Sequence, residues 1–343
     1  MNNSNRRDFI KKASLASMGL GLAVGTTDVF GIKRKEKGKR VGMIGLDTGH
    51  SPAFAKALND PAAGNKYGGY KLVAAYPNGT ENIEAWKNRI PEYTEQVKSQ
   101  GVEIVDSIDK MLKKVDVVLL TCIDGNMHLE QTLPVLQAGK PLFIDKPFAG
   151  TLVDAFKIVK AAKQYNVPMF SSSSLRYIDG VKEIEEGQLG RVIGAETYSP
   201  AHIEEHHPDL FWYGVHGVEI LYTIMGTGCK SLKRTFTENT DLVVGVWEND
   251  RIGTYRGIRE GKGDYGGTVY GEKGISVLGK YQGYGPLLEN ICKFFNTGVA
   301  PVSHEETLEI FAFMEAADES KRRGGTSVDI KSVMKKAKEE AFL

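Results

Sequence analysis

The chain is short of the features that usually assign a protein quickly. It has three cysteines, Cys122, Cys229 and Cys292. They are odd in number and widely spaced, which argues against a disulfide framework or a zinc-binding cysteine pattern. The formal net charge is +1 over 343 residues, so composition offers no broad electrostatic case for a nucleic-acid partner. No apolar run approaches the roughly 18 residues that a membrane-spanning helix needs, which predicts no stable membrane insertion. No internal repeat is visible, which sets aside solenoid and propeller architectures.

What is present is ordinary soluble composition, 41% hydrophobic and 25% charged, in a length that suits two domains. The first segment, 1–31, joins Arg6 and Arg7 to Phe9 and Lys11 and then to a short Gly-rich apolar stretch, Leu15 to Val24. That arrangement resembles a twin-arginine export signal and predicts a periplasmic protein. Residues 32–39 form a basic linker, the greater part of the run KRKEKGKR.

From residue 40 the pattern alternates. RVGMIGL, YKLVAAY, the apolar run Val115 to Thr121, PLFID and VPMFSSSS read as strands. Between them lie helical stretches: SPAFAKALND with Ser51 as N-cap and Pro52 at its first position, Asn82–Gln100, His128–Ala138, and Thr151–Asn166 capped by Thr151 with Asp154 three positions on. Strands separated by helices of this length need crossover connections, so residues 40–174 are predicted to form a Rossmann-like, doubly wound parallel sheet. Residues 175–343 change texture. Short β-rich segments separated by Gly, Asn and Asp predict an α+β domain with a mainly antiparallel open-faced sheet, closed by helices from Pro286 and from the capping box of Ser303 and Glu306. A broad uncovered sheet face predicts a homo-oligomer.

The first crossover turn reads GLDTGH: Gly45, Leu46, Asp47, Thr48, Gly49 and His50. A dinucleotide fingerprint would place glycines at Gly45, Asp47 and His50, the second for close approach of the pyrophosphate and the third for helix-to-strand packing. Here a carboxylate takes the second place. It repels a diphosphate unless it turns away or caps the helix that follows. The second strand ends in Tyr76, Pro77 and Asn78 instead of an acid for the ribose, which leaves NAD and NADP both open.

Further along, Lys146 follows a buried strand and precedes Pro147, which places its ammonium at the carboxyl end of the sheet, where such folds bind ligands. His216 is a candidate proton acceptor, with Glu219 as a group to set its tautomer. Phe211, Trp212 and Tyr213 are candidates to stack on a sugar ring, and Arg176 and Tyr177 to contact hydroxyls or a carboxylate. In HIEEHHPD, residues His202, His206 and His207 with neighbouring carboxylates are metal-ligand chemistry at a spacing that matches no zinc signature.

The run VDVVLLTCIDGNMHLEQTLPVLQAGKPLFIDKPFAGT, the SLRY stretch, the histidine of FWYGVHGVEIL and the ending APVSHEETLEIFAFMEAADESKRRGGTSV together resemble the Gfo/Idh/MocA family, the glucose-fructose oxidoreductase and inositol dehydrogenase group. Asp145-Lys146-Pro147 stands for that family's Glu-Lys-Pro. The resemblance implies a sugar or cyclitol oxidoreductase using NAD or NADP, with Lys146 hydrogen-bonding the reacting hydroxyl and His216 taking its proton. It also implies cofactor contacts at the turn Thr121, Cys122, Ile123 and Asp124, at Asn126 and His128, and at Asp145. Where the family often has an aspartate four residues before the histidine, this chain has Trp212. Two other functions compete: a carbohydrate lyase or hydrolase on the same fold, using transient oxidation or a metal, and a non-catalytic sugar-binding protein.

Overall fold

The computed structural model describes residues 39–343. The export-signal segment and nearly all of the basic linker lie outside the described residues. The first sheet is parallel with strand order β3-β2-β1-β4-β5-β6, where β1 is Arg40–Ile44, β2 Lys71–Tyr76, β3 Glu103–Ile104, β4 Val117–Leu120, β5 Leu142–Ile144 and β6 Met169–Ser171. This is the doubly wound order expected of a Rossmann-like domain, with its switch point between β1 and β4. Its strands are buried on both faces and therefore read as continuous apolar runs. Ile44, Val118, Leu120 and Ile144 pack one core with the helix Leu152–Tyr165. Val41, Met43, Leu119 and Phe143 pack the other with the helix His50–Asn59.

Local signals explain most helix boundaries. Thr151 accepts from the Asp154 N–H and opens Leu152–Tyr165, which ends on Asn166 in the left-handed region at φ 52°. Ser303 accepts from the Glu306 N–H and opens His304–Arg322. Two expectations are corrected. The first helix begins at His50, not after a Ser51 cap; the Ser51 hydroxyl donates instead to Gly45 O at 3.1 Å. The stretch 82–100 is two helices, Glu84–Lys87 and Ile90–Lys98, with Pro91 in the first turn of the second, a position proline favours as a helix start.

The second sheet has seven strands in the order β12-β11-β7-β10-β9-β8-β13: β7 Val192–Pro200, β8 Cys229–Phe236, β9 Thr240–Trp247, β10 Ile252–Ile258, β11 Gly266–Gly271, β12 Gly274–Leu278 and β13 Val328–Asp329. It is antiparallel except for the central β7–β10 pair, which is parallel. One face packs the helices Val215–Met225 and His304–Arg322. The other is open: along one register row Val246, Ile252, Gly194, Tyr270 and Ile275 are aligned, with Ile252 53% and Ile275 67% exposed. The helix Gly285–Thr297, which the sequence pattern places in the second domain, packs Leu287, Leu288, Ile291 and Phe294 into the core of the first sheet.

Candidate functional site

At the carboxyl end of the parallel sheet a pocket gathers side chains from distant parts of the chain. Thr48, Gly49 and His50 come from the first crossover turn, Asp145 and Lys146 from the end of β5, and Ser174 and Leu175 from the segment after β6. The second half of the chain adds Tyr213, His216, Tyr265, Tyr281 and Tyr284, and Trp86 and Ile123 close the wall. Two nitrogen bases and an amine thus share an aromatic-lined cavity.

Lys146 lies 5.4 Å over the Tyr213 ring, and burial pushes its ammonium pKa down, against the pull of Asp145 and Asp47. Burial, then the nearby Lys146 and His50, hold the His216 imidazole well below its ordinary value, so it is neutral at pH 7. Glu219 makes no hydrogen bond to His216. It accepts from the Ser172 hydroxyl, the Ser173 N–H and Arg176. The side chain hydrogen-bonded to His216 is Ser173, whose Oγ is 2.7 Å from Nδ1, and the Tyr213 and Tyr265 rings pack edge-on against the imidazole. The same Oγ accepts from the Leu175 N–H at 3.1 Å, and Nδ1 is the one acceptor within reach of its hydroxyl proton among the described residues. Hydrogen-bond accounting therefore assigns the ring proton to Nε2, and His216 presents a donor to the pocket. A proton-accepting role for His216 would need that nitrogen bare.

Several sequence candidates sit elsewhere. Arg176 is buried between Glu219 and Glu306, and the buried Tyr177 hydroxyl has no hydrogen-bond partner among the described residues; neither lines the pocket. Phe211 is core, and Trp212 packs with Ile83 and Ile123. Leu46 is fully buried in the core, and Asn78 is exposed beyond β2. His128 is held by Cys122 O and Phe148 O, and Thr121 by Gly45 O, so both shape the turn. Gly45 does what a first fingerprint glycine must: at φ 81° a Cβ there would meet the Cys122 backbone at 2.6 Å. The three histidines of HIEEHHPD diverge. His202 meets the Tyr213 ring edge-on, His206 pairs with Glu204 at the surface, and His207 is buried. Among the described residues no three His, Cys, Asp or Glu side chains are grouped to hold a metal.

The side chain of Asp47 turns inward. It is fully buried, with Oδ2 accepting from Thr80 N at 2.7 Å and Oδ1 from Ile123 N at 3.0 Å. Burial raises its pKa to about 6. The carboxylate presses so closely on the loop after β2 that a Cβ on Gly79 would lie 2.0 Å from it. The Thr80 hydroxyl continues the chain to Asp124, and His207 Nε2 lies 3.2 Å from Asp124, at ion-pair distance but with neither ring nitrogen in a hydrogen bond. Trp212 covers His207, and Asp209 ties this roof to Arg234 and Lys321. A dinucleotide on such a fold spans the switch point. Its reactive end fits the open pocket beside Lys146 and His216. Asp47, at the second fingerprint position, turns its carboxylate away from the crevice and lodges it between the loops after β2 and β4, on the Thr80 and Ile123 amides.

Comparison with known proteins agrees with the geometry of the sheet. Residues 39–172 match the Gfo/Idh/MocA family model, an oxidoreductase family with an NAD-binding Rossmann fold. Among curated relatives, 1,5-anhydro-D-fructose reductase of Ensifer adhaerens is 31% identical over 107 residues, covering 30% of this chain and 32% of its own. Inositol 2-dehydrogenase of Salmonella typhimurium is 22% identical over 140 residues, covering 38% and 41%. The chain spans less than half the length of the curated relatives it matches. Scyllo-inositol dehydrogenase from Lactobacillus casei, solved with NAD(H) and scyllo-inositol, superposes with a TM-score of 0.69 at 14% identity, over 85% of this chain and 99% of that one. A probable dehydrogenase from Thermotoga maritima gives 0.69 at 19% identity, over 86% and 99%. These two share the two-domain fold. The family match covers residues 39–172, the parallel-sheet domain, and the two solved structures share the fold of the described chain.

Proposed function

We propose, from residues 39–172 as a Gfo/Idh/MocA dinucleotide-type domain, that this chain is an NAD(P)-dependent oxidoreductase acting on a CH–OH group of a small sugar or cyclitol. One observation carries the reading: Lys146 and His216, far apart in sequence, meet in one aromatic-walled pocket at the carboxyl end of the parallel sheet. In this reading Lys146 and the Nε2–H of His216 both hold the reacting oxygen. The tyrosines and Trp86 supply faces for the apolar side of a sugar ring and hydroxyls for its polar rim. NAD(P)+, when bound, supplies the hydride acceptor. Thr48, Gly49, His50, Asp145 and Lys146 are the residues placed to meet its reactive end.

Two further proposals rest on sequence and surface. Arg6, Arg7 and the apolar stretch after them support export to the periplasm, and the exposed row through Ile252 and Ile275 supports a second copy on the open sheet. The inward Asp47 favours a second reading, in which the pocket performs acid–base chemistry on a carbohydrate, as a lyase or hydrolase, without a resident dinucleotide.

Calorimetric titration with NAD and NADP, joined to turnover assays on myo-inositol and a panel of aldoses, separates the two. The oxidoreductase reading expects dinucleotide binding and polyol oxidation. It also expects Lys146→Ala to lower turnover by about 10²–10⁴ with dinucleotide affinity unchanged. Absence of both binding and redox turnover overturns it.

A further inference from the structure

His50 stands at the third glycine position of the fingerprint, where the fold ordinarily wants no side chain. We propose that His50 is a proton-transfer residue of this pocket, held in its working tautomer by Asp145. The proposal rests on reading the pocket as an active site, and it names the nitrogen that reading leaves unassigned.

The argument begins with Asp145. Its Oδ1 accepts from the Lys146 N–H at 2.8 Å, and its Oδ2 is hydrogen-bonded to Nδ1 of His50. Asp145 is fully buried, and a carboxylate with both oxygens engaged in this way only accepts. Nδ1 therefore carries the ring proton, and Nε2 carries the lone pair. No protein hydrogen bond to Nε2 is found among the described residues, and this nitrogen is not among the buried polar atoms left without a partner. It is open to the cavity that His50 lines. The ring is held on two sides, by Tyr284 edge-on with centroids 4.3 Å apart and by Phe54 at 5.2 Å.

A buried histidine beside an aspartate is often a packing pair. Two observations here point further. His50 lines the same pocket as Lys146 and His216, and the two imidazoles are set oppositely: His216 presents N–H because Ser173 donates to its Nδ1, whereas His50 presents a lone pair because Asp145 takes its Nδ1–H. One donor and one acceptor are what moving a hydroxyl proton requires. In the oxidation, the substrate O–H bond breaks toward Nε2 of His50, a new N–H bond forms there, and the electron pair stays on oxygen. That pair would become the carbonyl bond if a bound NAD(P)+ took the carbon's hydride, and reduction would run the same transfers backward.

The test uses the full chain labelled with ¹⁵N-histidine, with His50→Gln to assign the resonance. Long-range ¹⁵N–¹H correlation is expected to show Nδ1–H at His50 and Nε2–H at His216. A protonated Nε2 and bare Nδ1 at His50 overturns the proposal. Diethyl pyrocarbonate, which attacks bare imidazole nitrogen, is expected to modify His50 faster than His216 by peptide mass mapping; the reverse order also overturns it. On whichever polyol the wild type oxidises, His50→Gln and His50→Ala are expected to lower kcat by about 10²–10⁴ with KM little changed. Added imidazole is expected to restore part of the His50→Ala rate, which a packing role would not allow. Unchanged kcat in His50→Gln removes His50 from the mechanism. If no polyol is oxidised, the redox reading fails, and the tautomer and labelling results still decide the dyad.

Discussion

The two ends of one crevice have diverged. Both lie along the carboxyl edge of the same parallel sheet, one at the switch point and one beyond it toward β5. At the end near β5, polar side chains face a cavity: Lys146, His216 and His50. At the switch point, between the loops after β2 and β4, polar side chains face one another: Asp47 meets the Thr80 and Ile123 amides, and Thr80 meets Asp124. Proton handling depends on side chains that are present and can be argued residue by residue. Anchoring a diphosphate depends on side chains that are absent, and one substitution is enough to put a carboxylate where glycine would stand.

The sharpest way to break this contrast is Asp47→Gly. It removes the carboxylate from the switch point and is expected to tighten NAD and NADP binding by at least about tenfold, roughly 1.4 kcal/mol, read by calorimetry. The variant is expected to unfold more easily in urea, by about 1–3 kcal/mol, since two buried amides lose their acceptor. If Asp47 served instead as a ribose-binding acid reaching across to the end of β2, the same variant would lose NAD affinity, and this expectation would fall.

A second experiment asks what the inward carboxylate costs. Burial raises Asp47 from 3.8 to about 6, so the folded state holds its proton more tightly than the unfolded chain. Its stabilising contribution is complete below about pH 4 and is lost as pH rises through about 6, a swing of about 3 kcal/mol. Urea titrations of the wild type from about pH 4 to about pH 7 are expected to show that loss, and Asp47→Asn is expected to lack it. Equal slopes in the two proteins would place the charge elsewhere.

The smallest effect belongs to the other end. Ser173→Ala removes the hydroxyl that orients His216 and is expected to cost turnover no more than about tenfold, the worth of one hydrogen bond. His216 should then show a mixture of tautomers by ¹⁵N spectroscopy. A loss as large as that of Lys146→Ala would mean that Ser173 itself touches the substrate.

Much of this was legible in the sequence, and the misses have physical causes. The parallel sheet followed from apolar runs spaced by helices, because only crossovers connect parallel strands. The open sheet followed from Gly-punctuated short strands, although the parallel β7–β10 pair left no local mark. Lys146 and His216 were visible through the motifs around them. Asp47 was visible as a misplaced charge, and its turning away was one of two outcomes the residue type allowed. The pairing of His50 with Asp145 was not visible, because it joins two loops whose distance depends on the whole sheet. Ser173 was hidden in a run of four serines, SSSS, where nothing local distinguishes the one that meets His216. Arg176 and Tyr177 misled because exposed and buried polar residues look alike until their partners are known. Tyr281 and Tyr284 in the Gly-rich YQGYGP loop carry a local mark of the pocket: aromatics in a turn have no core of their own to fill.

Gly79 and Asp47 are coupled positions. With the Asp47 carboxylate lodged against it, position 79 accepts a larger residue only if the Asp47 side chain moves off the Thr80 and Ile123 amides. In Asp47→Gly that demand lifts. Gly79→Ala is therefore expected to cost less in the Asp47→Gly background than in the wild type, a non-additivity that urea unfolding of the double mutant reads directly.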